Sequence, residues 1–226
     1  MYINTNGLEF LKSLPKNSID GIFTDPPWGR GPKMAGQDNW LGLIRDMTDE
    51  CPRICRPGAR VLIWVGMRMM GQVIRAINSV EFQWAIFCYY IPPRYIAGFE
   101  SVVDPILFFA RPGDPLPMRP RKIRQIYQKA NMGMKDTRHP AARPFATVKS
   151  ILLDWFDPGE YVVDPFAGSD TTGVACRQLS LEYDSCEIDP IMFAHGLERN
   201  RQGYLFEEKN EAIKLKRRRK FWDDKI

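Results

Sequence analysis

From residue 21 onward, short apolar runs alternate with stretches of helical periodicity, and no other feature restricts the fold of this chain so tightly. "GIFTD" reads as a strand, "NWLGLIRDMTDECPRIC" as a helix that stops before "RPG", "ARVLIWVG" as a buried strand and "MRMMGQVIRAINSV" as a helix. "QWAIFCYYI" and "SVVDPILFFA" follow as two more strands. After a basic, proline-rich insert come the helix "FATVKSILLDWF", stopped by "DPG", and the strand "YVVDPF". The turn "AGSD", the helix "TTGVACRQLS", the strand "YDSCEI" and the helix "PIMFAHGLERNR" complete the series. Such alternation predicts an α/β fold, a doubly wound and mostly parallel sheet with helices on both faces. The length of 226 residues suits one domain over 1–226.

In such sheets ligands bind outside the carboxyl ends of the strands, and two stretches place chemistry there. The first is "TDPPWG", Thr24 to Gly29. Its two prolines forbid further strand pairing and an immediate helix, so Asp25 and Trp28 are held at the lip of the sheet on a rigid backbone. The alternative is a proline-rich strand exit with a buried tryptophan. The second stretch is "VVDPFAGSDTTG", Val162 to Gly173, a strand running through a small-residue turn into a helix N-terminus. Gly168 allows close backbone approach to a ligand, and the helix start offers unpaired amides. The lysine of a phosphate-binding P-loop is absent. Further on, "CEID" ends a strand with Glu187, where an acid can accept hydrogen bonds from ribose hydroxyls. Strand-terminal acids are common, and the argument rests on its spacing after the Gly168 turn.

Charge narrows the partners. The net charge is only +5, but the basic residues cluster. Arg119, Arg121, Lys122, Arg124, Lys129, Lys135, Arg138 and Arg143 lie in one stretch that contains only Asp114 and Asp136 as acids. The tail adds "KLKRRRK", Lys214 to Lys220, followed by Phe221 and Trp222. Basic blocks with aromatics on an otherwise acidic body are the footprint of a polyanion such as nucleic acid; a solvated loop and a frayed tail are the bland alternative. The insert, 112–140, is thus the expected recognition region, with 207–226 as a basic C-terminal tail. No apolar run approaches a membrane span, and the first residues lack a signal-peptide pattern, so an intracellular, cytoplasmic protein is expected. "CPRIC" sets two cysteines one helical turn apart, but no second pair or nearby histidine completes a zinc site, so no metal is expected. The five cysteines read as reduced thiols.

"DPPW", "DPFAGSDTTG" and "EID" together resemble the S-adenosylmethionine-dependent amino-methyltransferases of DNA. Because the catalytic motif precedes the cofactor motif, the order is similar to the circularly permuted class beta of that family, with its Rossmann-like methyltransferase fold. The likeness runs from "YINTNGLEFLKSLPKNSIDGIFTDPPW" through "HPAARPFATVKSILLDWFDPGEYVVDPFAGSDTT" to "EIDP"; only the insert and the tail fall outside it. The resemblance implies a methyl donor, S-adenosylmethionine, and a base flipped out of duplex DNA. It assigns Asp25, Pro26, Pro27 and Trp28 to catalysis. Asp25 and the Pro26 carbonyl would hold the two amine hydrogens of the base, and Trp28 would stack on it for about 1–3 kcal/mol. It assigns Asn6, Asp25, Arg143, Pro144, Asp164, Phe166, Gly168, Ser169, Asp170, Thr171, Thr172 and Glu187 to the cofactor. Arg119, Arg121, Lys122, Arg124, Lys129, Lys135 and Arg138 would meet DNA.

Three positions depart from the family pattern. Asn6 replaces an acid, Arg143-Pro144 replaces Lys-Pro, and Asp170 replaces the second glycine of Gly-Ser-Gly-Thr-Thr. If position 170 needs a positive φ, Asp bears strain there, although it tolerates the left-handed region better than most residues. Its charge could attract the cofactor's cationic groups or could weaken binding. Asp before Pro-Pro points to N6 of adenine, whereas Ser there goes mostly with N4 of cytosine. RNA-adenosine enzymes also carry Asp-Pro-Pro-Trp, but they lack the downstream motif. A short insert is compatible with a short target, loose specificity or help from a second subunit; the resemblance also allows a homodimer, and a restriction-modification role fits the family. Two other classes remain. One is a catalytically weak or inactive nucleic-acid-binding subunit, which cofactor binding would separate from an enzyme. The other is a protein-glutamine methyltransferase, against which Asp25 and the motif order both count.

Overall fold

The computed structural model describes residues 1–27, 39–96, 98–114, 123–128 and 143–201. The first half of the chain supplies β1 (Tyr2–Asn4), α1 (Gly7–Ser13), β2 (Ile19–Thr24), α2 (Trp40–Ile54), β3 (Cys55–Trp64) and α3 (Met70–Ala76). A hairpin of β4 (Glu81–Ile96) and β5 (Phe99–Ala110) follows, then β6 (Ile126–Gln128). The last part holds α4 (Phe145–Trp155), β7 (Tyr161–Asp164), α5 (Thr171–Gln178), β8 (Glu182–Glu187) and a helix over residues 190–201, here α6.

The strands form one sheet in the order β1-β8-β7-β2-β3-β5-β4-β6. Neighbours pair in parallel except around β5, which runs antiparallel to both β3 and β4. The doubly wound, mostly parallel sheet expected from the alternation is therefore present, with one reversed strand. From β7 the chain passes through α5 to β8 on one side. From β2 it passes through α2 to β3 on the other. The winding reverses between β7 and β2, and the crevice outside their carboxyl ends is where ligands sit in such sheets.

Two cores cover the two faces. Val61, Ile63 and Val65 face α1, α2 and α3, while Leu62 and Trp64 face α4 and α5, as the two-residue period of a strand requires. The helices answer with stripes at helical spacing. Ile44, Met47, Cys51 and Ile54 of α2 are buried on the first face, and Val148, Ile151, Leu152 and Trp155 of α4 on the second. Each such large side chain contributes about 1.5–3 kcal/mol by leaving water.

The helices nearest the site are capped by side chains that the sequence shows. Asn6 Oδ1 accepts from the Leu8 and Glu9 amides at 2.8 and 3.4 Å, starting α1. Asp189 Oδ1 accepts from the Ile191 and Met192 amides at 2.8 and 3.1 Å, with Pro190 in the first turn of α6. The elements β1, α1 and β6 are additions to the alternation read from the sequence.

Candidate active site

Thr24 closes β2 and Asp164 closes β7, and the Thr24 hydroxyl donates to Asp164 Oδ1 at 2.6 Å. This bond joins the two sequence motifs at the reversal point of the sheet. Asp164 also accepts from the Thr172 hydroxyl at 2.7 Å and from the Phe166 amide at 3.2 Å. It is 4% exposed. Burial pushes its carboxyl up to about 7, and the hydroxyl and amide donors oppose that rise.

Asp25 follows Thr24 directly. Arg143 Nε donates to Asp25 Oδ2 at 2.6 Å and Nη2 donates to Oδ1 at 2.9 Å, a bidentate fork. Arg143 Nη1 reaches Asp104 Oδ2 of β5 at 3.5 Å, and the guanidinium lies 4.7 Å from the centroid of the Trp64 ring. Burial alone would lower the Arg143 pKa; Asp25 and then Asp104 outweigh it and hold the group above its ordinary value. The expected lead-in residue Arg143 is thus seated on the expected catalytic carboxylate. Its neighbour Pro144 caps α4, accepting from the Thr147 and Val148 amides at 3.1 Å each.

The turn after β7 is built around Gly168, whose φ is +53°. The Gly168 amide donates to Glu187 Oε2 at 2.9 Å, and the Asp189 amide donates to Glu187 Oε1 at 2.8 Å. Burial raises the Glu187 carboxyl while these two amides act against the rise. From β1, the Tyr2 hydroxyl donates to the Gly168 carbonyl at 2.6 Å. Asn6 serves as the α1 cap beside this turn, and a Cβ on Gly7 would lie 2.2 Å from the Pro165 carbonyl oxygen, so only glycine allows α1 to abut it.

Asp170 has φ +55° and ψ +39°, the left-handed conformation that the glycine of the resembled pattern would adopt freely. Its carboxylate makes no cap to α5 and is fully buried. It accepts instead from Ser185 Oγ and Asn200 Nδ2, both at 2.8 Å. Ser169, Thr171 and Thr172 are buried around it, and Phe166 packs against the core.

Trp28, Arg119, Arg121, Lys122, Lys129, Lys135, Arg138 and the tail from 207 lie outside the described residues. Arg124 is described and is clamped onto α4. It donates to Asp154 at 2.7 and 3.1 Å, lies 5.0 Å over the Tyr127 ring, and shares Asp154 with the Tyr127 hydroxyl. Tyr2, Thr24, Trp64, Asp104 and Asn200 were not singled out from the sequence. Asp104 carries a readable signal, an acid inside the apolar run "VVDPILFFA" that must find a partner once buried. All five cysteines are buried, and none forms a disulfide. Among the described residues, no group of three or more His, Cys, Asp or Glu could hold a metal, and no helix is long and apolar enough to cross a membrane.

The family model for DNA methylases of the N6/N4 type matches residues 19–195. The chain belongs to the N6/N4 DNA methylase family. Among its relatives is the type II methyltransferase M.HpaI of Haemophilus parainfluenzae, 25% identical over 209 residues, covering 79% of this chain and 67% of the relative. The DNA adenine methyltransferase YhdJ of Escherichia coli is 24% identical over 238 residues, covering 87% and 81%. Two solved structures share the fold. The M1.HpyAVI–SAM complex matches with a TM-score of 0.69 at 21% identity, covering 88% of this chain and 98% of that one. The cytosine-N4-specific PvuII DNA methyltransferase matches with 0.68 at 18% identity, covering 87% and 84%. The sheet of this N6/N4 methylase is therefore the Rossmann-like methyltransferase fold.

An ionised carboxylate offers about four lone-pair positions, and the Gly168 and Asp189 amides occupy two on Glu187. On Asp25, Arg143 occupies two such positions.

Proposed function

We propose that this chain transfers a methyl group from S-adenosylmethionine to an exocyclic amine of a base in DNA, with N6 of adenine as the target. The observation that carries the reading is the Thr24–Asp164 hydrogen bond, which brings Asp25 and the Gly168 turn into one crevice. Glu187 holds the ribose hydroxyls, and the turn from Asp164 to Thr172 wraps the methionine part. Bound there, S-adenosylmethionine supplies an electrophilic methyl carried on a sulfonium.

The protein's task is to make the amine nucleophilic. An exocyclic amine is a poor nucleophile because its lone pair is delocalised into the ring. Asp25 accepts one of its hydrogens and the Pro26 carbonyl accepts the other, drawing the nitrogen toward a tetrahedral shape. The prolines fix the carbonyl direction before substrate arrives. Arg143 fixes the carboxylate direction and keeps a positive charge beside it. The proton shed when the new N–C bond forms passes to Asp25 and from there to solvent. Trp28 supplies the stacking face for the flipped base, and the basic insert 112–140 supplies the contacts that choose the sequence. The proposed partner is DNA, and the proposed activity lies where DNA is, inside the cell.

Adenine is preferred over cytosine on the identity of Asp25. N4 of cytosine is the second reading, since a cytosine-N4-specific enzyme is among the structural neighbours. The test is incorporation of a labelled methyl group into unmethylated duplex DNA at low salt. Wild-type protein labels the DNA and Asp25→Ala does not; no label with wild type, on duplex or single strand, overturns the reading.

A further inference from the structure

Consecutive residues of the turn after β7 are each gripped from the same side. The Gly168 carbonyl accepts from Tyr2, the Ser169 hydroxyl accepts from Arg199 Nη1 at 3.0 Å, and the Asp170 carboxylate accepts from Asn200 Nδ2 at 2.8 Å. Arg199 and Asn200 belong to α6. Tyr2 leans on the same helix, its ring 4.7 Å from that of Phe193 and its hydroxyl 3.4 Å from the Met192 carbonyl. A Cβ on Gly196 would lie 2.5 Å from the Tyr2 ring, so the helix can approach no closer with a larger residue there.

Asn200 is the centre of this contact. Its Oδ1 accepts from Arg177 Nη2 at 2.5 Å while its Nδ2 serves Asp170, so a neutral amide relays between a cation on α5 and an anion on the turn. Ser185 Oγ donates to the other Asp170 oxygen at 2.8 Å, and the Tyr183 hydroxyl stands 3.4 Å from Oδ2. Asn200 is 8% exposed and Asp170 is 0% exposed, so solvent cannot stand in for these partners. Asp170 also holds a left-handed conformation that glycine adopts without cost. A Cβ on Gly173 would meet the Asp170 carboxylate at 2.4 Å, which shows that the first turn of α5 is shaped around this side chain. In the resembled pattern a glycine leaves position 170 without a handle. Here a side chain provides one, and α6 takes hold of it.

We infer that Asp170 and Asn200 form a latch by which α6 sets the conformation of the cofactor turn, making Asn200 a positioning residue for the methyl donor. The inference rests on the proposed cofactor site. It assigns the latch to cofactor affinity and leaves the chemistry to Asp25. Asn200→Asp puts two carboxylates face to face, whereas Asp170→Asn keeps an oxygen that accepts from Asn200 and removes only the charge. The double exchange Asp170→Asn with Asn200→Asp restores a donor opposite an acceptor, sets a carboxylate where Arg177 now meets an amide oxygen, and keeps a residue type that tolerates positive φ.

The test measures S-adenosylmethionine affinity by titration calorimetry, and kcat and KM for methyl transfer, on wild type, both single variants and the double exchange. Asn200→Asp raises Kd and the cofactor KM by about tenfold, with kcat at saturating cofactor within about twofold of wild type, and the double exchange recovers most of the loss. Folding is checked by circular dichroism. If Asn200→Asp does not fold, Arg199→Ala, which removes the hydrogen bond to Ser169, carries the test with an expected rise in Kd of about threefold. A folded Asn200→Asp with wild-type Kd, a double exchange no better than Asn200→Asp, or, where Asn200→Asp does not fold, Arg199→Ala with wild-type Kd would overturn the latch. Wild-type protein that fails to bind the cofactor would overturn the cofactor site itself, a separate result.

Discussion

Replacing Arg143 is the perturbation whose outcome the geometry defines best. The Arg143 and Asp25 side chains are 16% and 27% exposed, and Asp104 on the other flank is 10% exposed. Alanine at 143 would leave two carboxylates facing the place of a lost cation. Removing one partner of a buried ion pair costs about 3–5 kcal/mol. Because a quarter of Asp25 meets solvent, which rehydrates it in part, the lower end of about 3 kcal/mol applies. If that interaction is what aims Asp25, up to about 3 kcal/mol is lost from the transition state, or roughly a hundredfold in kcat. Lysine keeps the charge but not the planar fork, so it reaches one Asp25 oxygen and loses the stacking on Trp64. Arg143→Lys is therefore expected to lose about tenfold. The assay is single-turnover methyl transfer at saturating cofactor and DNA, with cofactor affinity by calorimetry and melting to confirm folding. The expected pattern is a fall in kcat ordered Ala below Lys below wild type, at a cofactor Kd within about threefold of wild type. Unchanged kcat with a tenfold or greater rise in cofactor Kd would refute the positioning role and return Arg143 to the cofactor side, where the sequence pattern had put it.

Two further outcomes follow from the buried acids. Asp164, with its pKa pushed up to about 7, keeps a proton in the folded chain between about pH 4 and 7 that the unfolded chain has released, so its contribution to stability falls as pH rises through that window. Denaturant titrations of wild type and Asp164→Asn should show the wild-type-minus-variant difference dropping by up to about 4 kcal/mol from pH 4 to pH 8, and a flat difference would contradict the assignment. Glu187→Gln retains the shape but offers an amide group to one of the two backbone amides it now accepts. Loss of charge-assisted acceptance at the ribose is expected to weaken cofactor binding by about 10–100-fold, measured by calorimetry, and an unchanged Kd would contradict the role.

The parts of the fold that the sequence announces are those set by local pattern. The alternation of Val61, Leu62, Ile63 and Trp64 between two faces and the stripe from Val148 to Trp155 are periodicities of the chain itself. The strand β1 is three residues long and carries no period, so only its pairing with β8 makes it a strand. The reversed direction of β5 comes from the hairpin with β4, which an unbroken apolar run does not specify. At the site, Asp25, Glu187 and the Gly168 turn were legible because each sits where a strand must end. The partnership of Arg143 with Asp25 spans 118 residues and was not, since nothing local says which acid a buried guanidinium will meet. Asp170 was legible as a departure, but its direction was not. The partner that holds it, Asn200, looks in the sequence like an ordinary polar residue near the end of a helix.

The central claim is methyl transfer to a base amine in the Asp25 crevice. It is tested most directly by digesting DNA labelled by this protein to nucleosides and identifying the labelled nucleoside by mass spectrometry. The account predicts labelled N6-methyldeoxyadenosine from wild type and none from Asp25→Ala. Labelled N4-methyldeoxycytidine would keep the mechanism and contradict the base assignment, and label that persists in Asp25→Ala would contradict the mechanism.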